Sequence, residues 1–182
     1  MNTRADRKIL SPRTRKFFVL LHVLTSMTWL GLTIGNVTMA IAAATADRPE
    51  TQHAIFRALG VIGDYLMIPV SLLAFATGVV LSLCTRWGLF RHKWVVVKFV
   101  LTSIAILLTP FSLVPGIHDL VTAVDATPAG QFAPVDLVGL FSAGAVSLTM
   151  YTTCTVLSVY KPWGRTRKPA PRKPEMLSTV DV

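Results

Sequence analysis

The chain alternates between long apolar runs and short polar ones, most of them basic. Residues 17–44 form the first apolar run, 28 residues without Asp, Glu, Lys or Arg. About 20 apolar residues cross the hydrocarbon of a bilayer, so this run is long enough to span one. A polar line runs through it: His22, Ser26, Trp29, Thr33 and Asn36 recur at spacings of four, three, four and three, the period of one helix face. That face is not built for lipid, and the other membrane segments are expected to pack against it.

Three more spans follow from the same pattern, over residues 65–84, 94–113 and 135–160. The first span is expected to end near Ala46, because Pro49 disfavours helix at the residue before it. Pro69 falls in the first turns of the second span and is expected to kink it. Ala74, Gly78 and Ser82 repeat every four residues, as do Gly139, Ala143 and Ser147, giving two narrow faces where another helix can approach closely. Residues 51–62 carry Ile55, Leu59 and Ile62 at helical spacing, with His53 and Arg57 off that stripe. They either lie on the membrane surface or form the first turns of the second span. Residues 117–134 read as a loop. The link 85–94 is short, basic and aromatic, with Trp87 and Trp94 at headgroup depth. The fold class is all-α: a polytopic bundle of four transmembrane helices over residues 17–160, between a basic tail, 1–16, and a second basic tail, 161–182. The second tail carries four prolines and too little apolar surface to fold alone, so it is expected to stay disordered.

Composition agrees with this reading. Hydrophobic residues make up 52% of the 182, well above an ordinary soluble domain once the scarcity of charge inside the runs is counted. A signal peptide is excluded by length, since its apolar region is about 7–15 residues. The net charge of +9 does not indicate nucleic acid, because the basic residues flank the apolar runs as topogenic charges do. Of the 18 Lys and Arg, 16 fall on one side of the four-span arrangement and only Arg48 and Arg57 on the other. The positive-inside rule then puts both termini in the cytoplasm of a multi-pass protein of the cytoplasmic membrane. The N-terminal tail is a topogenic flank or a site for anionic headgroups. Cys84 and Cys154 lie near the reducing face, where no disulfide is expected. The partners in view are the lipid bilayer and either a second copy or another membrane protein.

Few residues carry chemistry. His22 lies about 9 Å along the helix from Lys16; Lys98 follows Lys93 by five residues and Cys154 precedes Lys161 by seven. All three share a shallow depth on the cytoplasmic side, where an ionisable group in a span faces the bundle interior or a watery cavity. His22 reads either as a ligand or proton carrier or as a neutral histidine bonded across helices. Lys98 reads either as the partner of an anionic group or as a snorkelling side chain. Cys84, Cys154, His22 and His92 supply four donors but no CxxC or HxxxH spacing, so no metal site is assigned. His53 and His118 stand singly toward the outer face and are expected to be solvated. Gly31 and Gly35 form a GxxxG pair that serves close packing or a dimer. There is no nucleotide-binding loop, acid pair or nucleophile triad, and no base stands beside a Ser or Thr to activate it. Without an intramembrane acid, four spans also offer little for a coupled transporter.

Residues 17–163 resemble a family of bacterial four-helix integral membrane proteins of uncharacterised function. The stretches that carry the resemblance are LLHVLTSMTWLG in the first span, TRWGLFRHKWVVVK across the second link and VYKPWG after the fourth. The first two are distantly similar to the HemJ-type protoporphyrinogen oxidase and copper-resistance D membrane families. HemJ-type proteins carry a first-span histidine followed by W-x-G, matched here by His22, Trp29 and Gly31. They also carry G-W-x-H-x-K, whose ends are matched by Trp94 and Lys98; Val96 replaces its histidine, Lys93 its glycine, and His92 lies one turn earlier. Two functions are therefore in view. One is a non-enzymatic interaction or accessory protein in which the polar line serves packing. The other, implied by the resemblance, is a haem- or metal-binding membrane protein of redox or porphyrin metabolism, with haem b held by His22, Lys98 and Trp29.

Overall fold

A computed structural model describes residues 10–84, 89–90 and 92–163. The outer N-terminal tail, Trp87 in the second link and the C-terminal tail from residue 164 lie outside the described residues. Six α-helices are present: α1 (Pro12–Ala44), α2 (Pro49–Ile62), α3 (Ile68–Cys84), α4 (Lys93–Leu108), α5 (Val114–Ala126) and α6 (Leu137–Tyr160). A π-helical turn, Gly63–Met67, joins α2 to α3, and another, Thr109–Leu113, joins α4 to α5. The result is four continuous helices long and apolar enough to cross a membrane: Pro12–Ala44, Pro49–Cys84, Lys93–Ala126 and Val138–Tyr160.

The ends follow from local chemistry. Ser11 caps α1, its Oγ accepting the Thr14 amide at 3.2 Å, and Pro12 takes the first-turn position where its missing N–H costs nothing. Asp136 caps α6 in the same way through the Gly139 amide at 3.0 Å. That helix stops at Lys161, which adopts a left-handed conformation with φ 47°, and Pro162 cannot continue it. The Leu10 amide donates to the Cys84 carbonyl at 3.4 Å, so the start of α1 and the end of α3 share one end of the bundle.

Of the two readings of residues 51–62, the structure shows the second: they run on through the π turn into α3 as the first turns of the second span. One expected boundary needs correction. The region 117–134 is not all loop, since α5 extends helix to Ala126. Pro69 and Pro110 explain the π turns: each lacks an N–H and crowds the carbonyl four residues back, and a widened turn absorbs both defects. At 36 and 34 residues, the second and third helices are about 50 Å long, against a hydrocarbon thickness of about 30 Å. Their excess is α2 and α5, which pack on each other at the end away from the termini.

This cap has its own core. Phe56, Leu59, Met67, Ile117, Leu120 and Val124 bury there with Ala43 from the end of α1 and Ala133 from the loop before α6. Gly60 lets the pair close up, since a β-carbon there would stand 2.9 Å from Val121 Cγ2. Gln52 Oε1 accepts the Ala133 amide at 2.9 Å and pins the loop down. The buried face of α2 is therefore Gln52, His53, Phe56, Leu59 and Gly60. His53, expected to be solvated, is buried, and its Nε2 has no hydrogen-bond partner. His118, also expected to stand alone, meets Asp64 at 2.6 Å. Arg57 bridges α2 to α5, its Nε and a terminal nitrogen donating to Asp125 Oδ1 at 3.0 and 2.8 Å. Both partners of that bridge are more than half exposed, so Arg57→Ala should cost less than about 1 kcal/mol. A double-mutant cycle with Asp125→Ala, read by thermal unfolding in detergent, measures it.

In the other half, α1 packs on α3 and α6, and α4 packs on α3 and α6. The four helices form a ring, and a chamber lies inside it.

Candidate functional site

The polar line of α1 faces this ring. His22 Nδ1 lies 3.1 Å from the Ala74 carbonyl and 3.1 Å from Thr77 Oγ1. A carbonyl can only accept, and the Thr77 hydroxyl gives its own hydrogen to the Leu73 carbonyl at 2.7 Å. Nδ1 therefore carries the proton and donates, which leaves the lone pair of the ring on Nε2. Nε2 has no partner among the described residues and is not one of the sealed polar atoms of the bundle, which are Trp29 Nε1, Asn36 Oδ1 and His53 Nε2. It opens on free space. Gly78 makes room for the ring: a β-carbon at that position would stand 3.0 Å from His22 Cε1.

That space is a chamber of about 460 Å³, within the size range of small-molecule sites. His22, Ser26 and Trp29 line it from α1, Lys98 and Thr102 from α4, and Tyr151, Cys154 and Ser158 from α6. The three residues singled out in sequence, His22, Lys98 and Trp29, thus share one cavity. Trp29 is 3% exposed and forms its floor with Tyr151, the ring centroids 4.6 Å apart at 43°. Lys98 Nζ donates to Ser158 Oγ, which in turn donates to the Cys154 carbonyl at 2.8 Å. Lys98 is close enough to His22 and Cys154 to interact electrostatically with both. No carboxylate pairs with Lys98 among the described residues, whose two ion pairs are both in the cap.

Other candidates separate from the chamber. Cys84 and His92 do not line it, and no group of three or more His, Cys, Asp or Glu side chains is placed to hold a metal ion among the described residues. Among the described residues the four-donor combination with His22 and Cys154 is therefore not assembled. Gly31 and Gly35 have nothing within 4 Å of the places their β-carbons would take, so the GxxxG pair does not serve packing inside the bundle. Farther along α1, Asn36 Nδ2 donates to Met67 Sδ at 3.2 Å and Thr33 is buried. The lower part of the polar line serves packing, and the upper part lines the chamber.

Tyr151, Thr77 and Ser158 were not identified from sequence. A signal for the α6 residues exists: Ser147, Tyr151, Cys154 and Ser158 follow at spacings of four, three and four, the same polar line that marks α1. Comparison with protein-family models, with curated proteins and with solved structures gives no match. The site is read from its own geometry.

Proposed function

We propose that the chain is an integral protein of the cytoplasmic membrane, both termini in the cytoplasm, whose chamber holds a haem-type cofactor in redox or porphyrin metabolism. The observation that carries this is His22. Its Nδ1–H is tied to a backbone carbonyl and its Nε2 lone pair opens on a chamber large enough for a ligand. Histidines that ligate metals are held in this way, the second ring nitrogen donating to a fixed acceptor that sets tautomer and orientation. The residues present fit the group. His22 would hold the group through its free ring nitrogen, Lys98 would pair with an acidic side group, and Trp29 with Phe75 and Phe99 would give flat apolar walls. A bound haem would supply one-electron chemistry; the chain's own residues would orient it and keep bulk water from the buried floor.

The test is an absorption spectrum of the full chain purified in detergent from haem-replete cells. A Soret band is expected, lost in His22→Ala and weakened about tenfold in haem retention by Lys98→Met. Colourless wild-type protein from such cells sinks the cofactor reading. It would select the second reading, an accessory protein whose polar line serves packing, which the His22–Thr77 and Trp29–Tyr151 contacts favour.

The orientation rests on the charge count and is tested separately. In intact cells a membrane-impermeant maleimide should modify Ala129→Cys and spare Thr166→Cys, in a background lacking Cys84 and Cys154. The reverse pattern inverts the topology.

A further inference from the structure

Three of the four seams around the chamber carry direct side-chain contacts among the described residues. Between α3 and α4, Phe75 and Phe99 stack with centroids 5.9 Å apart at 28°. Between α4 and α6, Trp94, Val95 and Leu157 form a buried cluster. Between α1 and α3, His22 is bonded to Ala74 and Thr77.

The α1–α6 seam differs along its length. Near the cap it is tight, since a β-carbon on Gly144 would stand 2.7 Å from Val37 Cγ2. Toward the termini it parts. Val19, Val23 and Met27 of α1 and Val159 of α6 line the chamber, yet are 44%, 49%, 45% and 69% exposed. Side chains that border a cavity and the outside at once mark its mouth. These lie within segments apolar enough to span a bilayer, so this side of the chamber faces acyl chains, while Arg15 lines it toward the start of α1. Inside it stands Lys98, a cation without a carboxylate partner among the described residues.

We infer that the chamber is filled from the bilayer through the α1–α6 gap, by an acidic amphiphile whose anionic head pairs with Lys98 and whose apolar body lies along Val23 and Met27. The inference rests on the chamber being a ligand site, as proposed above, and narrows the class of molecule it takes. Lys98 inside the chamber and Arg15 at its exposed edge both line it and call for an anionic head. An apolar mouth calls for a molecule already dissolved in the membrane. Ser158 already accepts from Lys98 and would hold the ammonium in place as the head arrives.

The experiment uses the full chain in phosphatidylcholine nanodiscs, photolabelled with a diazirine-bearing palmitic acid and, in parallel, with the matching uncharged palmityl alcohol. Labelled residues are mapped by mass spectrometry. The acid should label Met27, Tyr151 and Thr155 about tenfold more than the alcohol, the factor expected for one charge-assisted contact. Lys98→Met should bring the acid down to the level of the alcohol. Thr155→Trp, which plugs the mouth, should remove chamber labelling while labelling of the outward-facing Leu107 is unchanged, and that unchanged signal shows the variant to be folded. Equal labelling by acid and alcohol, or an unaltered pattern in Lys98→Met, overturns the inference. Chamber labelling that persists in Thr155→Trp overturns lateral entry and points to the end that holds the termini. A Soret band without chamber labelling leaves the haem reading standing and removes this one; labelled but colourless protein does the reverse.

Discussion

Gly78→Val is expected to lower haem retention about a hundredfold while leaving His22 in the chain. The argument is steric. A β-carbon at position 78 would stand 3.0 Å from His22 Cε1, 3.5 Å from Nδ1 and 3.7 Å from Nε2, so even alanine obliges the ring to give by a few tenths of an ångström. Valine adds two γ-carbons on a β-branched stem that holds one rotamer in a helix and cannot swing aside. The ring must leave the Ala74 carbonyl and the Thr77 hydroxyl. It then loses both the contact that fixes its tautomer and the position from which Nε2 meets the chamber. Gly78→Ala should retain most of the binding, and Ser82→Ala, one turn on along the same helix, should be near wild type. Hemin titration followed at the Soret maximum measures all three. If valine binds as wild type does, His22 is not the group that meets the cofactor.

The four spans were legible because their signal is local and redundant: apolar runs long enough to cross a bilayer, bounded by basic clusters. The polar face of α1 was legible for the same reason, its period standing out against an uncharged background. α5 was not. Its buried residues, Val114, Ile117, Leu120 and Val124, are interleaved with Pro115, Gly116, Asp119 and Asp125, which read locally as loop. Only the facing surface of α2, with Gly60 admitting Val121, turns that stripe into a packed helix. His53 was misplaced by the same ignorance of its partner. The stripe of Ile55, Leu59 and Ile62 is the stronger one in sequence, yet α5 docks on the side that carries His53 and Phe56.

At the site, residue types were easier to read than their meeting. His22, Lys98 and Cys154 were placed at one depth by counting along separate helices, but depth alone does not say which helices are neighbours. The ring order of α1, α3, α4 and α6 supplies that, and it brings in Tyr151 and Ser158. It also shows why no second histidine joins His22: His92 precedes the first turn of α4 and stays outside the chamber. His22 and Lys98 on facing walls, with Arg15 also lining the chamber, make it an asymmetric site.

Phe56→Ala should loosen the cap by about 3–5 kcal/mol and leave the chamber nearly unchanged. Phe56 is fully buried in the cap core, against Leu59, Val124 and their neighbours, and its ring leaves a large void when truncated. What should keep the loss local is the difference between the two halves. In the cap, α2 and α5 are held by apolar burial, the exposed Arg57–Asp125 ion pair and the His118–Asp64 contact from the adjoining π turn, and water can replace those contacts once packing fails. Within a bilayer no water is present to take up backbone hydrogen bonds, so α3, α4 and their partners stay helical whatever the cap does. Hydrogen exchange in nanodiscs should therefore rise for residues 49–62 and 114–126 and stay slow for 68–84 and 93–108. The π turns at Gly63–Met67 and Thr109–Leu113 are the expected borders of the change, because each already interrupts the regular hydrogen-bond ladder. Haem retention and labelling of the chamber should be within about twofold of wild type, the scatter expected for a site that shares no lining residue with the substituted cluster. Exchange that rises uniformly through all four spans would show the molecule to be one cooperative unit, with the cap as much a part of the chamber as its walls.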